Sequence, residues 1–461
     1  MAGVGINLRK ILEKNSYLSE FVGYVYGALI SSGPWILTVV CLFGLDMVAR
    51  GLLEDPERHL FLGTVTTCFI FSLIATGPLQ MSVARYVSDC LYAKNYAEIL
   101  PSFLAACLLV VIALGGGGVL LWGFVDQSIV FRFFAVHLFV TIGMLWLVLI
   151  YLTLTKNYMP VIVAYSCGTT LSFLMGGMGA IQFGVDGILG GFTVGQMVTL
   201  VWLIKRLMSE LPYSPELNWN VLSIFHRYPR LVLVGLFYNL AIWVDKMIFW
   251  WFAPGNLQLS YFVYVHPVYD SAAFLTFLTV IPTIALFVIR VEVTFFQSYR
   301  SYYVTILNNR SFKQIRDAHR ELVQKVRLSI HRLLKMQGLI SFLVVVFAPW
   351  IVDAMYMNSL NVTTVRFLAL GAGFHILFYL VVIFLTYFDF QQLVLWLMIG
   401  FAAINVTGTL ISLELGPRYY GIGYFAAGFL MFFLTWRLLL YQLDRLEFIT
   451  FVEKSAAAET S

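Results

Sequence analysis

The sequence predicts an all-α polytopic membrane protein of about twelve transmembrane helices in two pseudo-symmetric six-helix halves. Composition is the first reason, because 60% of the 461 residues are hydrophobic and only 11% are charged. A soluble globular protein carries about 25% charged residues. The second reason is that the apolar residues form twelve long runs, each near the roughly 20 residues that a helix needs to cross a bilayer. The third is that residues of the first six runs recur in the second six.

The predicted spans follow one another with short polar connections. Those of the first half occupy residues 20–46, 60–84, 99–123, 130–154, 159–182 and 187–206. Those of the second half occupy residues 230–252, 269–290, 333–353, 364–388, 393–413 and 421–442. Backbone groups in lipid must be hydrogen-bonded internally, and these runs are too long for barrel strands, so we expect helices.

The internal repeat rests on residues that keep a constant separation. Gly27 and Trp35 of the first span match Gly235 and Trp243 of the seventh, 208 residues later in both cases. The separation changes markedly only between the eighth and ninth spans, where a polar stretch at 302–332 is inserted. Internal repeats are common in transporters, whose substrates bind between the copies. We therefore expect a central cavity between the halves.

Polar segments divide the chain. Residues 1–19 are predicted to form an amphipathic segment at the membrane surface, because they are polar and basic with apolar residues on one side. A linker at 208–228 separates a six-helix bundle at 20–207 from a second bundle at 229–448, and 449–461 is a flexible tail. The first span is too long for a secretory signal and has no cleavage motif, so we expect it to stay in the membrane.

The distribution of basic residues predicts the orientation. If both termini are cytoplasmic, the inner segments and span ends hold 23 of the 29 Lys and Arg residues. Basic loops are retained in the cytoplasm, so this bias predicts a multi-pass membrane protein with N- and C-termini inside. The net charge of +5 is an orientation signal and gives no reason to expect nucleic acid binding.

The insertion at 302–332 has the spacing of an amphipathic helix with one basic side. Two interpretations remain open: an interfacial helix held by anionic lipid, or a platform for cytoplasmic partners. The candidates for partner docking are Lys313, Arg316, Arg320 and Arg327.

Asp245 and Lys246 are charged residues well inside the seventh span. Charge at membrane depth costs about 2.5 to 3.5 kcal/mol on insertion scales and usually faces a cavity or a partner. Adjacent helical residues point about 100° apart, so we expect at least one of them, with the nearby Trp243, to face the cavity. The alternative is that each pairs with a group on another helix and fixes packing.

Two further pairs of arginines are candidates for the cavity. Arg132 and Arg366 open the fourth and tenth spans, and Arg85 and Arg290 lie near the inner ends of the second and eighth. Ordinary snorkelling to the interface would explain the first pair, and positive-inside anchoring the second.

No motif for catalysis, a cofactor or a metal is present. The seven histidines lack metal-ligand spacing, and the five cysteines form no CxxC pair. A membrane-embedded glycosyltransferase would need a carboxylate-rich loop to hold a metal and a nucleotide sugar, and the sequence contains no such loop. We therefore expect a protein that is not an enzyme.

Three segments carry a family resemblance that covers essentially the whole chain. Residues 24–35 (YVYGALISSGPW), Thr76-Gly77-Pro78 and residues 85–89 (RYVSD) resemble the polysaccharide transporter branch of the multidrug/oligosaccharidyl-lipid/polysaccharide flippase superfamily. The resemblance implies export of a Pel-type exopolysaccharide, rich in N-acetylgalactosamine, from the cytoplasm to the periplasm. It also implies as partners a cytoplasmic glycosyltransferase and two membrane proteins of the same secretion complex.

The alternative within the same fold is a cation-coupled multidrug or lipid-linked oligosaccharide flippase. A cation-coupled transporter is expected to place carboxylates in the cavity of its N-terminal half. Asp46, Asp89 and Asp126 all fall at span ends, which weighs against this alternative.

Overall fold

The computed structural model describes residues 17–153, 159–212, 217–261, 263–291, 295–355 and 357–453, with side chains omitted at 17–31, 290, 452 and 453. The predicted amphipathic segment at 1–19 lies almost entirely outside these residues, as does most of the predicted tail. The first-half helices are α1 Tyr17–Arg50, α2 Asp55–Tyr92, α3 Ile99–Trp122, α4 Ile129–Leu152 and α5 Met159–Glu210. Short 3-10 turns at Tyr96–Glu98 and Trp219–Ser223 lie between helices.

The remaining elements continue the same helical architecture. The helices are α6 Ile224–Arg227, α7 Pro229–Phe252, α8 Pro267–Leu278, α9 Ile281–Arg290, α10 Phe296–Leu307, α11 Phe312–Ala354, α12 Asn361–Tyr387, α13 Gln391–Leu415, α14 Ile422–Asp444 and α15 Leu446–Phe448. A 3-10 turn at Pro417–Tyr419 precedes α14, and a π-helical turn at Ile449–Glu453 follows α15. An antiparallel pair, β1 Leu257–Gln258 and β2 Tyr264–Val265, connects α7 to α8.

Eleven helical segments among the described residues are long and apolar enough to cross a membrane. One of them, α5, spans 52 residues and has a non-helical residue in its interior, Gly184, with φ 59° and ψ −135°. A residue with a side chain rarely adopts this backbone conformation, so glycine is suited to the position. The two arms of α5 correspond to the predicted fifth and sixth spans. The predicted all-α polytopic membrane fold is confirmed.

The arms of α5 fold back on each other along a row of glycines. A methyl group on Gly187 would come within 2.0 Å of the carbonyl oxygen of Gly179, and one on Gly191 would meet the backbone of Gly176 at 2.3 Å. Ser172 donates a hydrogen bond across the same interface to the carbonyl of Phe192, at 3.0 Å. Small residues allow this close backbone approach, which is typical of helix packing in membranes.

Contacts group the described residues into two units, the first of Ser32–Asp270 and the second of residues 271–453 together with 17–31. The first unit therefore includes α7, the predicted seventh span, which packs along α2. A methyl group on Gly77 of α2 would lie 2.7 Å from the carbonyl oxygen of Gly235 of α7. This close contact explains why the residue at 235, which belongs to the internal repeat, is a glycine. The boundary between units thus differs by one span from the boundary of the sequence repeat.

In the second unit, α10 and α11 form a helical hairpin. A capping box begins α11: Gln314 donates its backbone N–H to the Ser311 hydroxyl, and the Gln314 side chain accepts from the Ser311 backbone. The amphipathic helix predicted in the insertion at 302–332 and the predicted ninth span at 333–353 form one continuous helix, α11, which begins at Phe312. No glycine or proline between 312 and 337 breaks the helix.

Candidate functional site

The charged residues of the seventh span lie in a buried polar cluster in the first unit. Asp245 is 2% exposed and Lys246 is 6% exposed. The Asp245 carboxylate accepts a hydrogen bond from the Tyr269 hydroxyl, and the Lys246 ammonium lies 3.9 Å from a carboxylate oxygen of Asp270. Both partners belong to the first turn of α8. The cluster therefore fastens the beginning of α8 to α7.

Asp270 collects most of the polar contacts of this cluster. Its second carboxylate oxygen accepts from the indole N–H of Trp250 at 2.8 Å and from the backbone N–H of His266 at 2.9 Å. Acidic residues near a helix N-terminus bind unpaired backbone N–H groups and are favoured by the helix dipole. These two hydrogen bonds, together with the charge of Lys246 at 3.9 Å from the other oxygen, offset the cost of partly burying a carboxylate at this position.

The aromatic surroundings of the cluster come from α7 and from the first turn of α8. The Lys246 ammonium lies over the Trp243 ring, 5.3 Å from its centroid. Phe249 stacks on Tyr269 with 3.8 Å between ring centroids, which positions the hydroxyl that Asp245 accepts from. Trp243 thus lies beside the charged residues. Contact of these residues with a substrate stays a prediction.

Burial also affects His266, which precedes α8. Its ring nitrogens contact the carbonyl of Pro254 at 3.2 Å and the backbone N–H of Tyr269 at 3.1 Å. Burial lowers the pKa of His266 from its ordinary value, because the charged imidazolium is poorly solvated there. A neutral ring is consistent with one nitrogen accepting from the Tyr269 N–H while the other donates to the carbonyl.

The repeat-related arginines make equivalent kinds of contact. Arg132 donates to the carbonyl of Gly123 at 3.1 Å, directly after α3, and to the carbonyl of Gln127 at 2.9 Å, in the connection before α4. Arg366 donates to the carbonyl of Val345 in α11 at 3.1 Å. In each repeat an arginine at the start of one span thus satisfies a backbone carbonyl of the preceding span.

The reason for the Arg366 contact is a proline in α11. Pro349 has no N–H, so the carbonyl four residues earlier, on Val345, receives no helical hydrogen bond from it. The Arg366 guanidinium supplies the missing donor. Unpaired backbone groups within a membrane cost several kcal/mol, so this contact gives Arg366 a role in stability that its position in the sequence does not indicate.

Arg85 forms an ion pair with Asp89 one turn later, with 3.3 Å between nitrogen and oxygen. Asp89 also accepts from the Tyr228 hydroxyl, and Arg227 lies 3.9 Å from it. Burial and the Asp89 carboxylate raise the pKa of Tyr228 above its ordinary value. Arg85 thus belongs to a cluster that joins α2 to the residues before α7. The backbone of Arg290 ends α9, and its side chain lies outside the described atoms.

The four predicted docking residues are exposed on α11. Arg320 lies 4.0 Å from Asp317, and Arg327 lies 3.5 Å from Asp444 of α14. The opposite face of the helix is buried against its own unit, with Leu322 and Val326 fully enclosed. His319 contacts the carbonyl of Leu443 at 2.8 Å. The apolar face is therefore occupied by protein, so it is not available to lie in a lipid surface.

Several residues of these clusters could not be selected from the sequence alone. Asp270 and Tyr269 fall in the first turn of a span, where polar residues are common, and Asp89 was considered only as a possible cation ligand. The signal that points to Asp270 is its position three residues after Pro267, which begins α8. An acidic residue in the first turn of a helix is a recognised cap pattern. Among the described residues, no three His, Cys, Asp or Glu side chains converge to hold a metal ion.

A groove of about 660 Å³ follows the second arm of α5, with Val198, Trp202 and Lys205 among its lining residues. It is separate from the cluster at Asp245, which lies on α7. Its walls are mainly apolar, with basic side chains at the end nearest the linker.

Solved structures of membrane transporters share this fold. A MOP superfamily transporter from Pyrococcus furiosus matches with a TM-score of 0.58 and 15% identity, covering 91% of this chain and 96% of that one. A multidrug resistance MATE family transporter in an outward-facing conformation matches with 0.53 and 14% identity, covering 91% and 96%. The MATE transporter ClbM in complex with Rb⁺ gives 0.54 and 14% identity, covering 92% and 97%.

These similarities show that the chain has the fold of MOP superfamily transporters. It is a membrane transporter and not an enzyme. Residues 1–451 match the model of the PelG family, described as exopolysaccharide exporters (EPS-E). The chain belongs to the PelG family. No curated protein sequence matches it.

Proposed function

We propose that this protein exports a Pel-type exopolysaccharide from the cytoplasm to the periplasm during the production of biofilm matrix. The observation that carries the proposal is the PelG family match over residues 1–451, on a chain with a transporter fold. In this proposal the protein lies in the bacterial inner membrane with both termini in the cytoplasm. The concentration of Lys and Arg on one set of loops supports that orientation.

The proposed partners are a cytoplasmic glycosyltransferase that makes the polymer and the membrane proteins of the same secretion complex. Polymer leaving a synthase must enter the exporter on the cytoplasmic side, so a docking surface is expected there. The exposed basic residues Lys313, Arg316, Arg320 and Arg327 support a surface of this kind.

Deleting the gene tests the proposal, with secreted exopolysaccharide and cytoplasmic polymer measured separately. We expect secreted polymer to be lost while the isolated glycosyltransferase still makes polymer from its nucleotide sugar. Complementation by the intact gene should restore secretion. Unchanged secretion in the deletion strain would contradict the export function.

A cation-coupled multidrug or lipid-linked oligosaccharide flippase fits the fold as well. The surroundings of Asp46 bear on this alternative, because its carboxylate lies 2.9 Å from Arg50 and 3.6 Å from Arg58. A carboxylate paired with two arginines is less available to bind a coupling cation.

The two functions differ in what they do to a proton gradient. In everted membrane vesicles carrying the protein, a drug antiporter releases protons from the lumen when its substrate is added. We expect that adding a drug does not change the fluorescence of a pH-sensitive dye in these vesicles. Vesicles that contain a known antiporter serve as the positive control. A substrate-dependent response would favour the alternative.

A further inference from the structure

Two side-chain amides of the first unit meet near the middle of a membrane span. Asn239 lies close to the midpoint of α7, Pro229–Phe252, and is 2% exposed. Its amide nitrogen lies 3.5 Å from the amide oxygen of Gln80 on α2. Pro78, just before Gln80, interrupts the backbone hydrogen bonds of α2 at the same level. Substrate sites of transporters are typically found at this depth, where a helix is interrupted.

The contacts of the two amides determine which atoms face each other. The Asn239 side-chain nitrogen also donates to the carbonyl of Gly235 at 3.0 Å. A backbone carbonyl only accepts, so the nitrogen lies on this side and the side-chain oxygen, Oδ1, lies on the other. Gln80 therefore presents its oxygen to Asn239, and its nitrogen, Nε2, to the Thr76 hydroxyl at 3.3 Å. Gly77 leaves space for this arrangement, because a methyl group there would lie 2.7 Å from the Asn239 nitrogen.

Each amide keeps hydrogen-bonding capacity that the described part of the protein does not fill. The Asn239 Oδ1 accepts no hydrogen bond there, and the Gln80 Nε2 uses one of its two N–H groups. The contact between the amides is also long at 3.5 Å, since an ordinary N–H···O bond measures about 2.9 to 3.0 Å. Unfilled polar groups at membrane depth are costly. A ligand that supplies one acceptor and one donor would therefore be favoured at this position.

An exposed face of α2 leads to the amide pair from the C-terminal end of the helix. Gln80, Ala84 and Ser88 are four residues apart, so they share one face. Ala84 and Ser88 are exposed, and Gln80 is half-buried. The proposed orientation puts this end of α2 in the cytoplasm. A substrate arriving from the cytoplasm would thus pass the exposed residues before it reaches the amides.

We propose that Gln80 and Asn239 bind the acetamido group of an N-acetylated sugar in the exported polysaccharide. The Gln80 N–H donates to the acetamido oxygen, and the acetamido N–H donates to the Asn239 Oδ1. A secondary amide carries its donor and its acceptor on separate atoms, as this pair of side chains does, whereas a sugar hydroxyl carries both on one oxygen. The proposal rests on the proposed export function for the ligand being a glycan, and it names the group that is recognised.

The test measures the binding of two oligosaccharides to the full-length protein in nanodiscs by isothermal titration calorimetry. One consists of N-acetylhexosamine units, and the other is the hexose oligosaccharide of the same length and linkage, which has hydroxyls in place of the acetamido groups. We expect the wild type to bind the first at least about tenfold more tightly. Q80L and N239L should each reduce this preference to about threefold, because each removes one of the two hydrogen bonds. The double variant Q80L/N239L should abolish it.

The matched control is Q337L, which removes a buried amide from α11 in the second unit. Gln337 is 1% exposed and contacts the hydroxyls of Thr283 at 2.6 Å and Ser341 at 3.1 Å. Its loss removes comparable hydrogen bonds without changing the proposed site, so we expect Q337L to keep the wild-type preference. The ratio of two affinities in one variant does not depend on the fraction of folded protein. The comparison therefore holds even where a substitution lowers stability.

Three results would overturn the proposal. Equal affinity of the wild type for the two oligosaccharides, or no binding of either, would exclude recognition of the acetamido group. A preference that persists in Q80L/N239L would place the recognition elsewhere. An equal loss of preference in Q337L would mean that the amides act only through the stability of the protein. Normal secretion in the deletion strain would instead contradict the export function and leave a measured binding preference intact.

Discussion

At the scale of single residues, the charged groups inside the spans satisfy other polar groups within their own unit. Lys246 with Asp270 and Arg366 with Val345 are the clearest examples. In a membrane interior, each unpaired polar group would be costly. These contacts give the arginines and the lysine measurable roles in stability, independent of any role in transport.

The ion pair of Lys246 and Asp270 predicts a non-additive pair of substitutions. We expect K246M to lower the free energy of unfolding by about 3 kcal/mol, because it leaves the Asp270 carboxylate without its cation. The double variant K246M/D270N should recover part of this loss, since the uncompensated charge is then removed. Thermal unfolding of the purified protein in detergent measures both. Losses that simply add would contradict the pairing, and export measured on the same variants tests the predicted cavity role.

The contact between Arg366 and Val345 predicts a second dependence between positions. We expect R366M to destabilise the protein by about 1 to 3 kcal/mol, because it leaves the Val345 carbonyl without a donor. In a P349A background the alanine N–H can bond that carbonyl, so R366M should cost less there. Unfolding temperatures of the four variants give the comparison. An equal cost of R366M in both backgrounds would mean that Pro349 is not the reason for the contact.

At the scale of elements, the hairpin of α5 depends on glycines that permit contact between backbones. We expect G187A to be strongly destabilising, because its methyl group would lie 2.0 Å from the carbonyl oxygen of Gly179. The matched control is G177A on the same helix, where nothing lies within 4 Å, and it should be neutral or stabilising by up to about 1 kcal/mol. The measurement is thermal stability of each purified variant. Similar effects of both substitutions would contradict the close approach.

The sequence allowed the helices to be predicted because apolar runs of about 20 residues have few other solutions in lipid. It did not reveal that α11 continues through its amphipathic part into the ninth span, because a change from an amphipathic to an apolar pattern resembles a boundary. Asp245 and Lys246 could be selected by the cost of charge in a span. Their partners on α8 could not, because that contact depends on how the chain folds back after β2.

At the scale of the whole molecule, the orientation remains a proposal that chemical labelling can test. In a variant without its native cysteines, we expect R310C at the tip of the α10–α11 hairpin to be protected from a membrane-impermeant maleimide in intact cells with a permeabilised outer membrane. Q258C lies in β1, which follows the C-terminal end of α7, and it should be labelled because that end is expected to face the periplasm. Inverted membrane vesicles should reverse both results. Labelling of R310C in intact cells would place the tip in the periplasm and contradict the proposed orientation.

The unbroken course of α11 has a mechanical consequence. From Phe312 to Pro349 the helix forms a stiff rod about 55 Å long at 1.5 Å per residue, which exceeds the roughly 30 Å thickness of a bilayer core. A displacement of the Phe312 end would therefore move groups at the Pro349 end directly, because no flexible joint lies between them.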